Sequence, residues 1–248
     1  MSGHSKWSTI KRKKEKTDAA RGRVFTRLIK EITIAARNGG GDEESNPRLR
    51  TAVLAAKAAN MPATNIDRAV KRGTGELPGV VYEEIVYEGY GPGGAALYIE
   101  TLTDNKNRTV AEMRHMLSRY GGSLGESGSV AWMFNKKGII TVPAAGISED
   151  NLMEATLEAG VDDIQMDNDY FTLTCAPNDL EAVKSALEEK NIEYDSAEVA
   201  MQPNSTIKLE GKQAESMLKL MDVLEEHDDL QNVYSNFDID DSLIEELG

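Results

Sequence analysis

Residues 136–203 read KKGIITVPAAGISEDNLMEATLEAGVDDIQMDNDYFTLTCAPNDLEAVKSALEEKNIEYDSAEVAMQP, and the hydrophobic period changes along them in a definite order. The β-branched run at 138–142 reads as a strand. Residues 148–158 read as a helix with Ser148 as its cap, and 164–166 and 170–175 as two strands. Residues 179–190 then return to helical spacing, and 194–201 form a last strand. The order βαββαβ is the ferredoxin-like pattern, an α+β layer complete in itself. A self-sufficient unit here decides the fold, because it leaves the segments on either side to complete each other.

Upstream, residues 81–87 and 96–103 read as strands joined by a Gly-Pro turn at 89–94. Residues 107–120 follow as a helix with Val110, Met113, Met116 and Leu117 at core spacing. A glycine-rich connection at 121–128 leads to an expected strand at 129–134. That sheet is unfinished. Downstream, residues 206–209 read as a strand, 212–226 as a helix with Met217, Leu218, Met221 and Leu224 inward, and 230–237 as a strand. The expected domains are therefore 79–135 with 204–248 as one discontinuous α+β domain, and 136–203 inserted in it.

Residues 1–78 differ in kind, reading as a basic arm followed by a helical bundle. At helical spacing Phe25, Leu28, Ile29, Ile32, Ala35 and Ala36 fall on one face, with Arg23, Arg27, Lys30 and Arg37 opposite. Asn38-Gly39-Gly40-Gly41 ends this helix. Ser45-Asn46-Pro47 starts a second, Ala-rich one, and a third covers about 63–71. The fold class is thus multidomain α+β with an N-terminal basic helical bundle.

Charge divides the chain in the same place. The first thirty residues hold ten Lys or Arg, with Lys11, Arg12, Lys13 and Lys14 in a row, against Glu15 and Asp18. Residues 1–80 carry 17 Lys or Arg and 8 Asp or Glu, a net +9, whereas residues 81–248 carry 11 and 34, a net −23. A chain that gathers its cations at one end presents that end to a polyanion, and nucleic acid fits. The candidate binding residues are Lys6, Trp7, Lys11, Arg12, Lys13, Lys14, Arg23, Arg27, Lys30 and Arg37. Trp7 is either a base-stacking side chain or a hydrophobic plug docking the arm. No helix with base-reading side chains is identifiable, so weak sequence preference is expected.

A second candidate phosphate site lies where the strand ending at Thr103 turns into a helix, with Asn105, Lys106, Asn107, Arg108 and Thr109 around free backbone N–H groups. The alternative is that Asn107 caps the helix and Asp104-Asn105 makes a turn. The acidic surroundings make a basic island there informative.

Other chemistry is poorly supported. Gly89 to Gly94 satisfies G-x-G-x-x-G, but a strand follows where the dinucleotide fingerprint needs a helix. Gly121 to Gly125 satisfies G-x-S-x-G, yet the order helix, turn, strand inverts that of a nucleophile elbow. The single Cys175 forms no intramolecular disulfide, and three histidines without a Cys pair make a zinc site unexpected. Removal of Met1 would leave Ser2-Gly3-His4 as an X-X-His sequence able to wrap Cu(II) or Ni(II). No metal, cofactor or membrane span is expected, no secretory signal is read at the N-terminus, and the expected location is cytoplasmic.

The residues then carry a resemblance. Gly3-His4-Ser5-Lys6-Trp7, DAARGRVFT from Asp18, Asn46-Pro47-Arg48-Leu49-Arg50, Ala58-Ala59-Asn60-Met61-Pro62, YEGYGPGG from Tyr87, TDNKNRT from Thr103 and GGSLGESGSVAWMF from Gly121 are similar to the YebC/PmpR family. The resemblance implies three domains with the third inserted in the second. It also implies a cytoplasmic bacterial protein described as a DNA-binding transcriptional regulator, and the residues themselves read as a non-enzymatic nucleic-acid-binding regulator of gene expression. It further implies a translational link, because mitochondrial relatives resemble activators of cytochrome c oxidase subunit I synthesis and bacterial ones are tied to ribosomes stalled on proline runs. DNA, RNA and the ribosome are thus the partners in view, with a protein-binding acidic module as the competing class. The oligomeric state is not legible.

Overall fold

The computed structural model of the chain describes residues 18–167 and 169–240. The described residues begin with three helices: α1 (Asp18–Gly39), α2 (Pro47–Ala58) and α3 (Ala63–Thr74). Ile32, Ala35 and Ala36 of α1 meet Leu49, Ala52, Val53 and Ala56 of α2 and Ile66 and Ala69 of α3. Small side chains set the spacing. At Gly73 an added Cβ would lie 2.4 Å from the Thr33 carbonyl oxygen, so α3 crosses α1 where only glycine fits. Asn46 locks the first corner: its Oδ1 accepts from the Leu49 N–H at 3.1 Å as the cap of α2, while its Nδ2 donates to the carbonyls of Ala35 and Gly40 at 2.8 Å each.

Next come the strands β1 (Glu83–Tyr90), β2 (Ala96–Thr103), β3 (Ser123–Leu124) and, far along the chain, β9 (Leu230–Ser235). They form a four-stranded antiparallel sheet in the order β3-β1-β2-β9. The helices α4 (Lys106–Arg119) and α7 (Gly211–Glu225) cover one face. Leu97 and Ile99 of the sheet pack there with Met113, Leu117, Met217 and Met221, and full burial of each stabilises by about 1.5–3 kcal/mol.

Between them lie β4 (Phe134–Pro143), α5 (Glu149–Thr156), β5 (Val161–Asp167), β6 (Tyr170–Cys175), α6 (Leu180–Glu189) and β7 (Ser196–Pro203). Their sheet order, β5-β6-β4-β7, places the unit's first and third strands at the centre, the ferredoxin-like arrangement. Ser148 caps α5 by accepting from the Asn151 N–H at 3.3 Å. Cys175 is buried in β6, and burial pushes its thiol up from the ordinary range.

The structure corrects three details. The segment 129–134, expected as a strand, turns through a short 3₁₀ stretch at Ala131–Met133, and the strand of this region is β3, inside the expected connection. The reason is Glu88, whose carboxylate takes the N–H groups of Gly128, Val130 and Ala131 at 2.6–2.7 Å, so none of them is free for a ladder. Phe134 instead begins β4, which runs without a break to Pro143 and pairs with β7. Lastly, the strand read at 206–209 does not complete the main sheet. As β8 (Ile207–Lys208) it pairs in parallel with β10 (Phe237–Asp238), and β9 alone returns to β2.

Candidate nucleic-acid interface

Lys6, Trp7, Lys11, Arg12, Lys13 and Lys14 lie outside the described residues. Of the basic residues on α1, Arg23 is half-buried and Arg37 exposed, about 21 Å apart along the axis. The two between them face inward, against the expectation of a continuous solvent stripe. Arg27 donates through Nη2 to the Glu225 carbonyl at the end of α7, where the helix leaves its carbonyls unpaired and attracts a cation. Lys30 is 7% exposed and donates to Asp229 Oδ1 at 2.7 Å, the Asp228 carbonyl at 2.8 Å and the Leu102 carbonyl at 3.3 Å. Its ammonium also sits 5.6 Å from the ring centre of Tyr82. All three ammonium protons have acceptors, so Lys30 has none left for a phosphate. Helical spacing told the two faces of α1 apart but not that both dock.

The second candidate site converges on the same carboxylate. Asn105, not Asn107, caps α4, its side chain accepting from the Arg108 N–H at 3.1 Å. Arg108 Nη2 donates to Asp229 Oδ2 at 2.6 Å and to Asp104 Oδ1 at 2.9 Å. Thr109 Oγ1 lies 2.8 Å from Asp229 Oδ2 and 2.7 Å from Thr103 Oγ1, which in turn accepts from the Asn105 N–H at 2.9 Å. The start of α4 therefore already holds an anion, supplied by the chain itself. Lys106 and Asn107 stay exposed beside it.

Asp229 is thus the hub that the two sets of candidate residues share. Burial by itself would raise its pKa, but hydrogen bonds from Lys30, Arg108 and Thr109 outweigh that, and the carboxyl is held well below the usual range. Tyr82, packed at the same junction, has its phenol pushed up by burial first and by the negative charge of Asp104 second. Arg48 adds an outer clasp by bridging Glu31 on α1 and Glu84 on β1. Sequence reasoning missed Asp229 because it stands in a turn, His227-Asp228-Asp229, where no periodicity marks a buried position.

Glu112, His227 and Asp229 bring ligand-type atoms within 4.8 Å of one another. Each is already engaged: His227 Nε2 meets Glu112 Oε2 at 2.9 Å, and His227 Nδ1 accepts the Asp229 N–H at 3.1 Å. Asp229 is in addition paired with Lys30 and Arg108. Among the described residues no helix is long and apolar enough to cross a membrane. Trp132 was also missed: it is 70% exposed, its indole N–H donates to the Ser129 carbonyl at 3.1 Å, and its own carbonyl accepts from Asn204 Nδ2 at 3.1 Å.

A family model described as the TACO1/YebC protein N-terminal domain matches residues 5–76, and one described as the TACO1/YebC second and third domain matches residues 82–237. A probable transcriptional regulatory protein of Pelotomaculum thermopropionicum is 60% identical over 97% of this chain and its own full length. One of Chlorobaculum parvum is 58% identical over the whole chain and 99% of its own. The crystal structure of a conserved hypothetical protein from Aquifex aeolicus superposes with a TM-score of 0.81 at 45% identity, covering 90% of this chain and 93% of that one.

Proposed function

Because this chain belongs to the TACO1/YebC family, we propose that it is a non-enzymatic, cytoplasmic, nucleic-acid-binding regulator of gene expression that grips its target with the basic arm before α1. The observation that carries this reading is the separation of charge, +9 on residues 1–80 and −23 on the rest. The relatives' name of probable transcriptional regulatory protein agrees with it. The anchoring of α1 through Lys30 and Arg27 supports it further: the helix that follows the arm is fixed to the sheet domain, so Arg23 sits on a rigid base.

Contacts made by Lys and Arg to phosphates release counterions, and binding then weakens with salt in proportion to their number. Replacement of Lys11, Arg12, Lys13 and Lys14 by Ala in the full chain is expected to flatten the slope of log K against log salt by roughly 3 units. The check is fluorescence anisotropy from about 50 to 200 mM salt, with a melting curve to show that the fold is kept. A slope equal to that of the unmodified chain would remove the arm from the site and favour the competing reading, an acidic module that binds proteins.

The charge layout favours RNA, and with it a ribosome-associated role, over the transcriptional reading on duplex DNA. A long duplex lying along the molecule would run beside acidic surface, whereas folded RNA can be met end-on by the arm.

A further inference from the structure

We propose that the solvent side of α4 is a second nucleic-acid contact surface, with Arg114 and Arg119 as its phosphate ligands; this rests on the reading above that the chain binds nucleic acid. Residues 81–248 contain three arginines, Arg108, Arg114 and Arg119, and all three stand on α4. With Lys106, that one helix of 14 residues holds four of the eleven cations in this stretch, against a single acid, Glu112.

The pairing of these groups separates structure from function. Arg108 is committed to Asp229, and Glu112 to His227. Several lysines elsewhere in the acidic part have carboxylate partners, as in Lys137 with Asp162 at 2.6 Å, Lys184 with Glu181 at 2.9 Å and Lys208 with Asp240 at 3.4 Å. Arg114 and Arg119 are exposed and form no ion pair among the described residues. A merely solvated helix face balances its arginines with acids three or four residues away. Here those positions are Val110, Ala111, Leu117 and Ser118 around Arg114, and His115 and Met116 before Arg119, which ends the helix with its guanidinium 5.9 Å from the ring centre of Tyr120.

Unbalanced arginine in a region of net −23 raises the protein's affinity for an anion, and the planar guanidinium fork matches phosphate oxygens. The helix is also rigidly placed. Met113 and Leu117 are fully buried beneath it, and its first turn shares Asp229 with Lys30 of α1. The cations of α4 and those of α1 therefore belong to one frame. The ligand chemistry is the phosphodiester backbone, which RNA and DNA share.

The test uses the full chain, an RNA hairpin and a DNA duplex of equal length, and binding measured from about 50 to 200 mM salt. The Arg114→Gln/Arg119→Gln variant is expected to lose about 1.4–1.8 units of salt slope on the probe that binds, and with it about twenty-fold in affinity at about 0.15 M salt. Arg114→Lys/Arg119→Lys keeps the slope. Lys184→Gln/Lys190→Gln removes the same net charge elsewhere and leaves the slope unchanged. A full slope in the Gln variant of α4, or an equal loss in the Lys184/Lys190 variant, overturns the proposal while leaving the arm as the binding site. Failure of the unmodified chain to bind either probe overturns the nucleic-acid reading itself, and this surface with it.

Discussion

Asp229 is 2% exposed, and its charge is held in place by Lys30, Arg108 and Thr109. Removing one partner of such a buried pair strands the other, at about 3–5 kcal/mol. Asp229→Asn is therefore expected to destabilise the protein by about 3 kcal/mol at pH 7. The carboxyl is depressed in the fold, so its contribution is fully present above the unfolded value of about 3.9 and is lost as pH falls toward the folded one. The gap in urea midpoint between the variant and the unmodified chain should accordingly narrow on going from pH 7 to about pH 2.5. An equal gap at both pH values would show that the charge of Asp229 is not what the junction needs.

Between β3 and β4, residues 125–133 hold their shape because a residue of β1 reaches into them. Glu88, 6% exposed, accepts three backbone N–H groups, and these bonds keep its carboxyl below the ordinary range although burial pushes it up. Hydrogen bonds to a charged group contribute about 1.5–3 kcal/mol each before overlap. Glu88→Ala should cost about 3 kcal/mol or more, and hydrogen exchange at the amides of Gly128, Val130 and Ala131 should rise well ahead of that in β2. Exchange that stays slow at those three amides would mean that the burial of Val130 and Phe134 fixes the segment unaided. In the sequence Glu88 looks like a solvent position of an alternating strand, which is why a strand is the natural expectation for 129–134.

Across the whole molecule, charge is sorted by distance from the N-terminus, and the structure binds the two ends of that gradient together at Lys30 and Asp229. Screening limits repulsion by the acidic part to about 8 Å at physiological salt. It therefore opposes a duplex lying along the molecule more than a compact ligand at one end. Tighter binding to structured RNA than to double-stranded DNA of equal length is the expected outcome in competition at about 0.15 M salt. Footprinting of a discrete promoter site at nanomolar protein, with no comparable RNA binding, would reverse that choice.

Local patterns were enough for most of the architecture. The βαββαβ order at 136–203, the Asn46-Pro47 helix start, the hairpin at 89–94 and the apolar face of α1 follow from period, capping and turn chemistry, which act over a few residues. The excess of cations at one end is likewise a property of composition. Which cations face solvent was decided only by the tertiary fold. Lys30 and Arg114 are both basic residues on amphipathic helices, yet one is buried against Asp229, 199 residues away in sequence, and the other is exposed, with no ion pair among the described residues. Glu88 and Asp229 show the same from the acidic side. A charged side chain is buried when distant backbone and side-chain groups converge to replace its water, and that convergence has no local period to betray it.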